Sequence, residues 1–409
     1  MSQPLKSCLL ILLALCTFSH VTAQTREILQ WRGEDRSGVY HETGLLKSWP
    51  PEGPVLQWES EGIGNGYGSP VITRNNIFVN GEIDTVSYLF ALDLQGKLQW
   101  KSKIGREWVQ NYPGSRNTPT VAGDLVYVTT GMGQVACFET ATGKERWSLN
   151  LTSDFHGEIP RFGFSESLLV DSDRVYCAPG SRDTNVVALD RFTGKIIWIS
   201  KGTGEMTSYT SPMLIRLPQR TILVTFSMTT LLGIDTKDGS LLWSYKQEGQ
   251  EIDCQCNTPF YENGSLYCVN GNGYGTFRIQ LSSDGSAITE TWKNGRADGL
   301  FGGFIKVKDH LYTGGYEKRQ YYSVDVNTGA VVDSLRFDRG SIIEADGMLY
   351  LYNEKGQLGL FKPNGPKLEQ VSVFKVTRGT KAHFSHPVIC NGVLYLRHGK
   401  SLLAYHVKG

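Results

Sequence analysis

The chain has 409 residues, 40% hydrophobic and 20% charged, which is enough apolar material for a large buried core. A formal charge of +1 excludes the basic footprint needed to neutralise nucleic-acid phosphates. Glycine fills 46 positions beside 19 Tyr, 17 Phe and 9 Trp, a turn-rich and aromatic composition that predicts an all-β protein.

In chain order, residues 1–23 come first. Lys6, an apolar run from Cys8 to Cys16, and the small-residue site Val21-Thr22-Ala23 read as a secretory signal peptide. The run is too short to span a bilayer, and no later segment reaches that length. A competing reading makes Cys16 a lipid anchor, although Leu15 stands where such a signal wants a small residue. The expectation is a mature chain, residues 24–409, that is one exported domain, periplasmic or secreted, and monomeric. Loss of Lys6 leaves its acidic and basic residues balanced. Six cysteines remain: Cys137, Cys177, Cys254, Cys256, Cys268 and Cys390. Export permits disulfides, but most sit in apolar strand-like runs and read as small buried hydrophobes.

Trp31-Arg32-Gly33 through Trp49 reads as a wrap across the molecule. From there one pattern repeats: a short strand, a turn ending in Gly, then a strand with Trp four residues after that Gly. Gly96 leads to Trp100, Gly143 to Trp147, Gly194 to Trp198 and Gly239 to Trp243. Weaker copies follow at Gly285 (with Trp292 three residues late), Gly329 (Asp333 in the Trp place), Gly365 (Glu369 there) and Gly409. Upstream of each Gly lies a second hairpin, as in Pro70–Val79 and Pro387–Tyr395. Eight units of about 45 residues, each two hairpins, predict an eight-bladed β-propeller of four-stranded antiparallel blades. The six tryptophans Trp58, Trp100, Trp147, Trp198, Trp243 and Trp292 are assigned to packing between blades. The last unit stops one strand short. Gly53-Pro54-Val55-Leu56-Gln57-Trp58 is predicted to complete it and close the ring.

The unit resembles the quinoprotein-type repeat, loosely Ala-x-Asp-x-x-Thr-Gly-x-x-x-Trp, of eight-bladed pyrroloquinoline quinone (PQQ) dehydrogenases and of the BamB scaffold. The resemblance runs from about Trp31 to Gly409. The opening Trp31-Arg32-Gly33-Glu34-Asp35-Arg36-Ser37-Gly38-Val39 and the closing His386-Pro387-Val388 look like those of exported bacterial PQQ-like propellers. For a dehydrogenase it implies a quinone and a Ca²⁺ ion in the funnel, with an adjacent-cysteine disulfide above them. Here only Cys254-Gln255-Cys256 approaches that ceiling, one residue too widely spaced. The favoured expectation is therefore a scaffold with no cofactor, binding a small-molecule, glycan or protein ligand through funnel and rim loops. PQQ with Ca²⁺ and oxidation of alcohols or sugars is the alternative.

Propeller ligands are met by loops leading to the inner strands and by mid-blade hairpins. The segment 154–164 offers His156 and Glu158 as an acid/base pair and Arg161 beside aromatics. Arg116, Asn117 and Arg182 are further rim candidates, and Trp108, outside the repeat register, either stacks on a ligand or covers its own loop. Glu158, Glu166, Asn117, Asn257 and Glu344 are the acidic and amide candidates for the funnel. His383 and His386 precede the eighth inner strand, but their spacing puts them on opposite sides, so no metal site is expected. No linear catalytic motif identifies a catalytic residue.

Overall fold

The computed structural model describes residues 25–248 and 255–409. The signal peptide, Cys16 and Cys254 lie outside the described residues. Strands form eight four-stranded antiparallel sheets, the expected eight-bladed propeller. Blade one spans residues 71–106, two 120–150, three 169–200, four 213–246, five 260–294, six 304–335 and seven 340–375. Blade eight joins residues 388–406 to Val55–Ser60, which pairs antiparallel with Ser401–His406 and closes the ring as anticipated.

Burial follows position within each blade. Second strands such as Met348–Asn353 are buried on both faces and read as unbroken apolar runs. Outer strands alternate, as in Glu145–Asn150, where buried Trp147 stands between exposed neighbours. Apolar clusters between neighbouring blades form the core, for example the one joining Tyr127, Trp147, Val175 and Val187.

The Gly and Trp of the repeat serve different joints. Trp147 Nε1 donates to the Arg191 carbonyl at 2.9 Å, and its ring lies on Gly194 of the next blade. Trp198 and Trp292 repeat this on blades four and six, donating to Thr236 and Val326 at 2.9 Å, and Trp58 donates to Leu94 of blade one at 3.1 Å. A Cβ at Gly194 would lie 2.9 Å from the Trp147 ring, and Gly194 has φ +71°. The turn thus needs glycine both for its left-handed backbone and as the seat of the preceding blade's indole.

Every outer strand bulges at the Trp position. Trp292 is late in sequence because its hairpin is longer, yet it arrives in register opposite Arg278. In blade seven, Ser372 and not Glu369 occupies that position, opposite Leu360. The long hairpin between Gln357–Asn364 and Lys367–Lys375 displaces the count.

The wrap anticipated for residues 31–49 runs across one end of the axis as a strap. With Ile28 and Leu29 just before it, it makes contact with seven blades. Ile28 bridges Ile72 of blade one, and Leu29 accepts from Val121 N of blade two. Arg36 donates to Ser167 and Leu168 of blade three and to Pro212 of blade four. Arg32 donates to Phe304 of blade six, Ile342 of blade seven and His386 at the approach to blade eight. Val39–Tyr40 then adds to blade seven as a fifth, parallel strand beside Glu344 and Ala345. Arg397 seals the ring junction, its guanidinium donating to Asn80, Gly64 and Gly399.

Candidate functional site: an aromatic funnel on the axis

The approaches to the inner strands share a register. Three residues before the position held by Pro70 in blade one stands Tyr67. Its equivalents are Arg116, Ser165, Tyr209, Cys256, Phe301, Arg339 and Phe384 in blades two to eight. All of these except Arg339 line one axial cavity of about 480 Å³. Tyr112, Arg161, Phe162 and Tyr316 reach it from neighbouring loops, and Trp31 of the strap joins the lining with His386. The rings form a collar. Phe384 lies 5.5 Å from Tyr67 and from Tyr112 and 5.3 Å from Phe301, and Phe162 lies 6.0 Å from Tyr209.

The next register position points away from the axis, as alternation in an extended chain requires. It holds Asn117, Glu166 and Asn257, three of the residues assigned to the funnel, and the structure places all three behind it. Asn117 is buried, donating to the Thr129 carbonyl and accepting from Asn80. Asn257 donates to Val269 and Gly299 and accepts from Gly303 N at 2.8 Å. Glu166 accepts from Ala178 N at 3.0 Å, and burial pushes its carboxyl up to about 8 against the pull of Arg36. These groups are spent on backbone ties between strands and loops.

The third position returns to the axis and carries a belt of hydroxyls. Ser69 N donates to Thr118 Oγ1, Thr118 N to Ser167 Oγ, and Ser167 N to Ser211 Oγ, at 3.0, 2.9 and 2.9 Å. In blades one to three the backbone is thus bonded to the next blade's side chain. Four of the approaches read Ser-Pro or Thr-Pro, a repeat signal that composition and the Gly–Trp pattern did not bring out.

In blade eight this position is His386, which lies under the collar. Arg32 Nη1 donates to its Nδ1 at 3.0 Å, so Nε2 carries the proton and donates to the Phe301 carbonyl at 3.2 Å. Burial, reinforced by the Arg32 charge, pulls its pKa down to about 3, and the ring stays neutral. The Trp31 ring meets it edge-on at 5.4 Å.

Of the other assigned residues, Arg116 lines the cavity but donates to Gly114, Asn111 and Tyr112 carbonyls of its own loop. Arg161 lies 5.3 Å over the Phe162 ring. Trp108 covers its own loop. It is buried, bonded to Asn111 Oδ1 at 2.8 Å, and packed against Gly131 and Gly163. His156, Glu158 and Arg182 are exposed and outside the lining. His383 sits between blades seven and eight, bonded to Tyr352 and stacked on His398 at 3.8 Å. Glu344 belongs to the inner strand Gly340–Ala345, beside the strap, and not to a funnel loop. Cys137, Cys177, Cys268 and Cys390 are buried free thiols.

Among the described residues no group of three or more His, Cys, Asp or Glu side chains stands at metal-binding distance. A larger hollow of about 1120 Å³ lies under the strap. It is bordered by Arg26, Glu27, His41 and Glu42.

The family described as "Outer membrane protein assembly factor BamB" matches residues 85–335. The chain belongs to this family. BamB of Shewanella oneidensis is 22% identical over 301 residues, covering 70% of this chain and 69% of its own. Among solved structures, BamB from Moraxella catarrhalis superposes with a TM-score of 0.62 at 12% identity, over 87% of this chain and 98% of that one. A europium-containing methanol dehydrogenase superposes at 0.69 and 12% identity, over 91% and 90% of the two chains. The structural likenesses establish a shared propeller fold between this BamB-family chain and both kinds of protein.

Proposed function

We propose that this BamB-family propeller is an exported binding scaffold that receives its ligand in the axial funnel and on the surrounding rim. The observation that carries this reading is the collar itself: aromatic faces, arginines and serine hydroxyls converge from six blades on one cavity. Such a lining suits a ligand with flat or apolar faces and hydrogen-bonding or anionic groups. The family description, an assembly factor of outer membrane proteins, supports a protein ligand and a place outside the cytoplasm. Residues 1–23, read as a signal peptide, support export. Anchoring through Cys16 is the variant of this reading that mass spectrometry of the mature N-terminus separates from cleavage before Gln24.

The dehydrogenase alternative draws on the methanol dehydrogenase likeness. Ca²⁺ needs several oxygen donors, commonly carboxylates. The described funnel lining offers no carboxylate and a single side-chain amide, Asn272, while Glu166, Asn117 and Asn257 face away and are already bonded. The residues do not fit the ion, and no reaction step is derived through it.

The test is thermal-shift titration of the mature protein with aromatic carboxylates, oligosaccharides and aromatic peptides, in parallel with PQQ plus Ca²⁺. The scaffold reading expects saturable stabilisation by one of the former classes, lost in Tyr112→Ala/Phe384→Ala. Ca²⁺-dependent stabilisation by PQQ, with turnover of an alcohol on an artificial acceptor, would replace it with the dehydrogenase.

A further inference from the structure

An open blade leaves one edge unpaired, the outward N–H and C=O groups of its outer strand. Proteins commonly guard such edges with charge. Every outer strand here but one carries at least one charged residue, from Lys101 in blade one to Glu59 in blade eight. The exception is Ile196–Ser200 in blade three, Ile-Ile-Trp-Ile-Ser. Its second peculiarity is exposure. Ile196, Ile197 and Ile199 are 53%, 40% and 45% exposed, and Phe192 in the preceding turn is 47% exposed. Other outer strands expose single large apolar side chains, such as Leu98, Leu241 or Val371. Phe192 is held in place by the Arg191 guanidinium, 4.2 Å over its ring.

The repeat does not require these isoleucines. Trp198 faces the Gly239 turn of blade four and meets the structural demand of the strand. What remains is a β-branched edge of high strand propensity, aligned by the blade and open to an added strand.

Charge at the two ends selects the occupant. Lys195 and Lys201 bracket the strand, both exposed; among the described residues Lys201 has one ion pair, to the exposed Asp183 at 3.5 Å, and Lys195 lies within the field of Asp190. A second copy pairing antiparallel about Trp198 would set Lys195 against Lys201 at both ends, a repulsive arrangement. A segment with acidic flanks is attracted at both ends instead.

We propose that the outer strand of blade three, Ile196–Ser200, is a docking edge for an extended, apolar β-segment of another protein that is flanked by acidic residues. The partner strand extends the blade to five strands. Its alternate side chains cover Ile197 and Ile199, and its acidic ends meet Lys195 and Lys201. This surface is distinct from the funnel.

The probe is a fluorescent, capped peptide, Asp-Glu-Val-Thr-Val-Thr-Val-Glu-Asp, titrated against the full mature chain by anisotropy. A second peptide has the same core and Lys/Arg flanks. The expected result is saturable binding of the acidic peptide, weaker by about tenfold or more for the basic one. Backbone amides of 196–200 gain protection from hydrogen exchange on binding. Ile197→Lys/Ile199→Lys loses binding without a change in thermal midpoint, because both side chains are exposed. Lys195→Glu/Lys201→Glu reverses the preference between the peptides. Equal binding of both peptides, binding that survives Ile197→Lys/Ile199→Lys, or no saturable binding overturns the proposal. Concentration-dependent dimerisation abolished by Ile197→Lys/Ile199→Lys also overturns it, in favour of self-pairing. Funnel ligands act as an independent control, since Tyr112→Ala/Phe384→Ala leaves peptide binding unchanged.

Discussion

Three arginines are buried on or beside the axis with no ion pair to a carboxylate among the described residues, although Arg36 still feels the charge of Glu166. Arg32, Arg36 and Arg397 each spend their guanidinium on carbonyl oxygens of several chain segments. A planar fork of five donors satisfies acceptors that converge from different blades, which a lysine ammonium would not span. Arg32→Met leaves the Phe304 and Ile342 carbonyls without this donor in a buried site. The expected cost is about 3 kcal/mol or more, read as a lowered denaturation midpoint in urea. His386 and His383, held down to about 3 and about 4 by burial and neighbouring positive charge, are neutral in the fold. The unfolded chain takes up their protons near pH ~6.5, so their stabilisation is complete above that value and is lost on acidification towards about pH 3–4. Glu166, raised to about 8, has the opposite sign: its contribution is complete at low pH and is lost as pH rises from about 4.5 through 8. Glu166→Gln is therefore expected to flatten the alkaline fall of the thermal midpoint while leaving the acid limb in place.

At the scale of strands and turns, one glycine in five of the eight units performs two tasks, and two variants separate them. Gly194→Ala meets both a left-handed backbone and the Trp147 ring, and is expected to cost about 3 kcal/mol or more. Gly365, at the tip of the longer blade-seven hairpin, has φ +57° but no atom near a Cβ. Gly365→Ala should cost only the backbone strain, about 1 kcal/mol, and comparison of thermal midpoints measures the difference. The repeat, the blade count and the closing strand were legible in the sequence because Gly and Trp sit at fixed offsets that packing enforces. The funnel was legible only in part. Arg116, Arg161, Cys256 and His386 line it, whereas Asn117, Glu166 and Asn257 are one residue out of phase and face backwards. Charged and amide side chains stand out in a sequence, whereas the collar of Tyr67, Tyr112, Phe162, Tyr209, Phe301 and Phe384 does not. Aromatic residues are common in strands throughout this chain. Spacing to a Ser-Pro pair marks out Tyr67 and Tyr209, the aligned approaches carry Phe301 and Phe384, and no such spacing marks Tyr112 and Phe162.

Across the whole molecule, the strap and Val55–Ser60 make the N-terminal segment both the hub and the final strand of the ring. Truncation before residue 61 removes Arg32, Arg36 and the strand paired to Ser401–His406 together. It is expected to yield a chain that aggregates or exposes dye-binding apolar surface instead of a smaller propeller, as size-exclusion chromatography and dye fluorescence will report. The same arrangement sets an order of events in folding. Residues early in the ring find their partners late in it, as in the pairing of Val55 with His406 and the bond from Arg32 to His386. Middle blades close on local contacts, but the pairing that joins the two ends needs residues from both sides of the whole ring. Until those contacts form the molecule is an open arc with two raw edges, so ring closure carries the largest loop-closure entropy of any pairing in the fold.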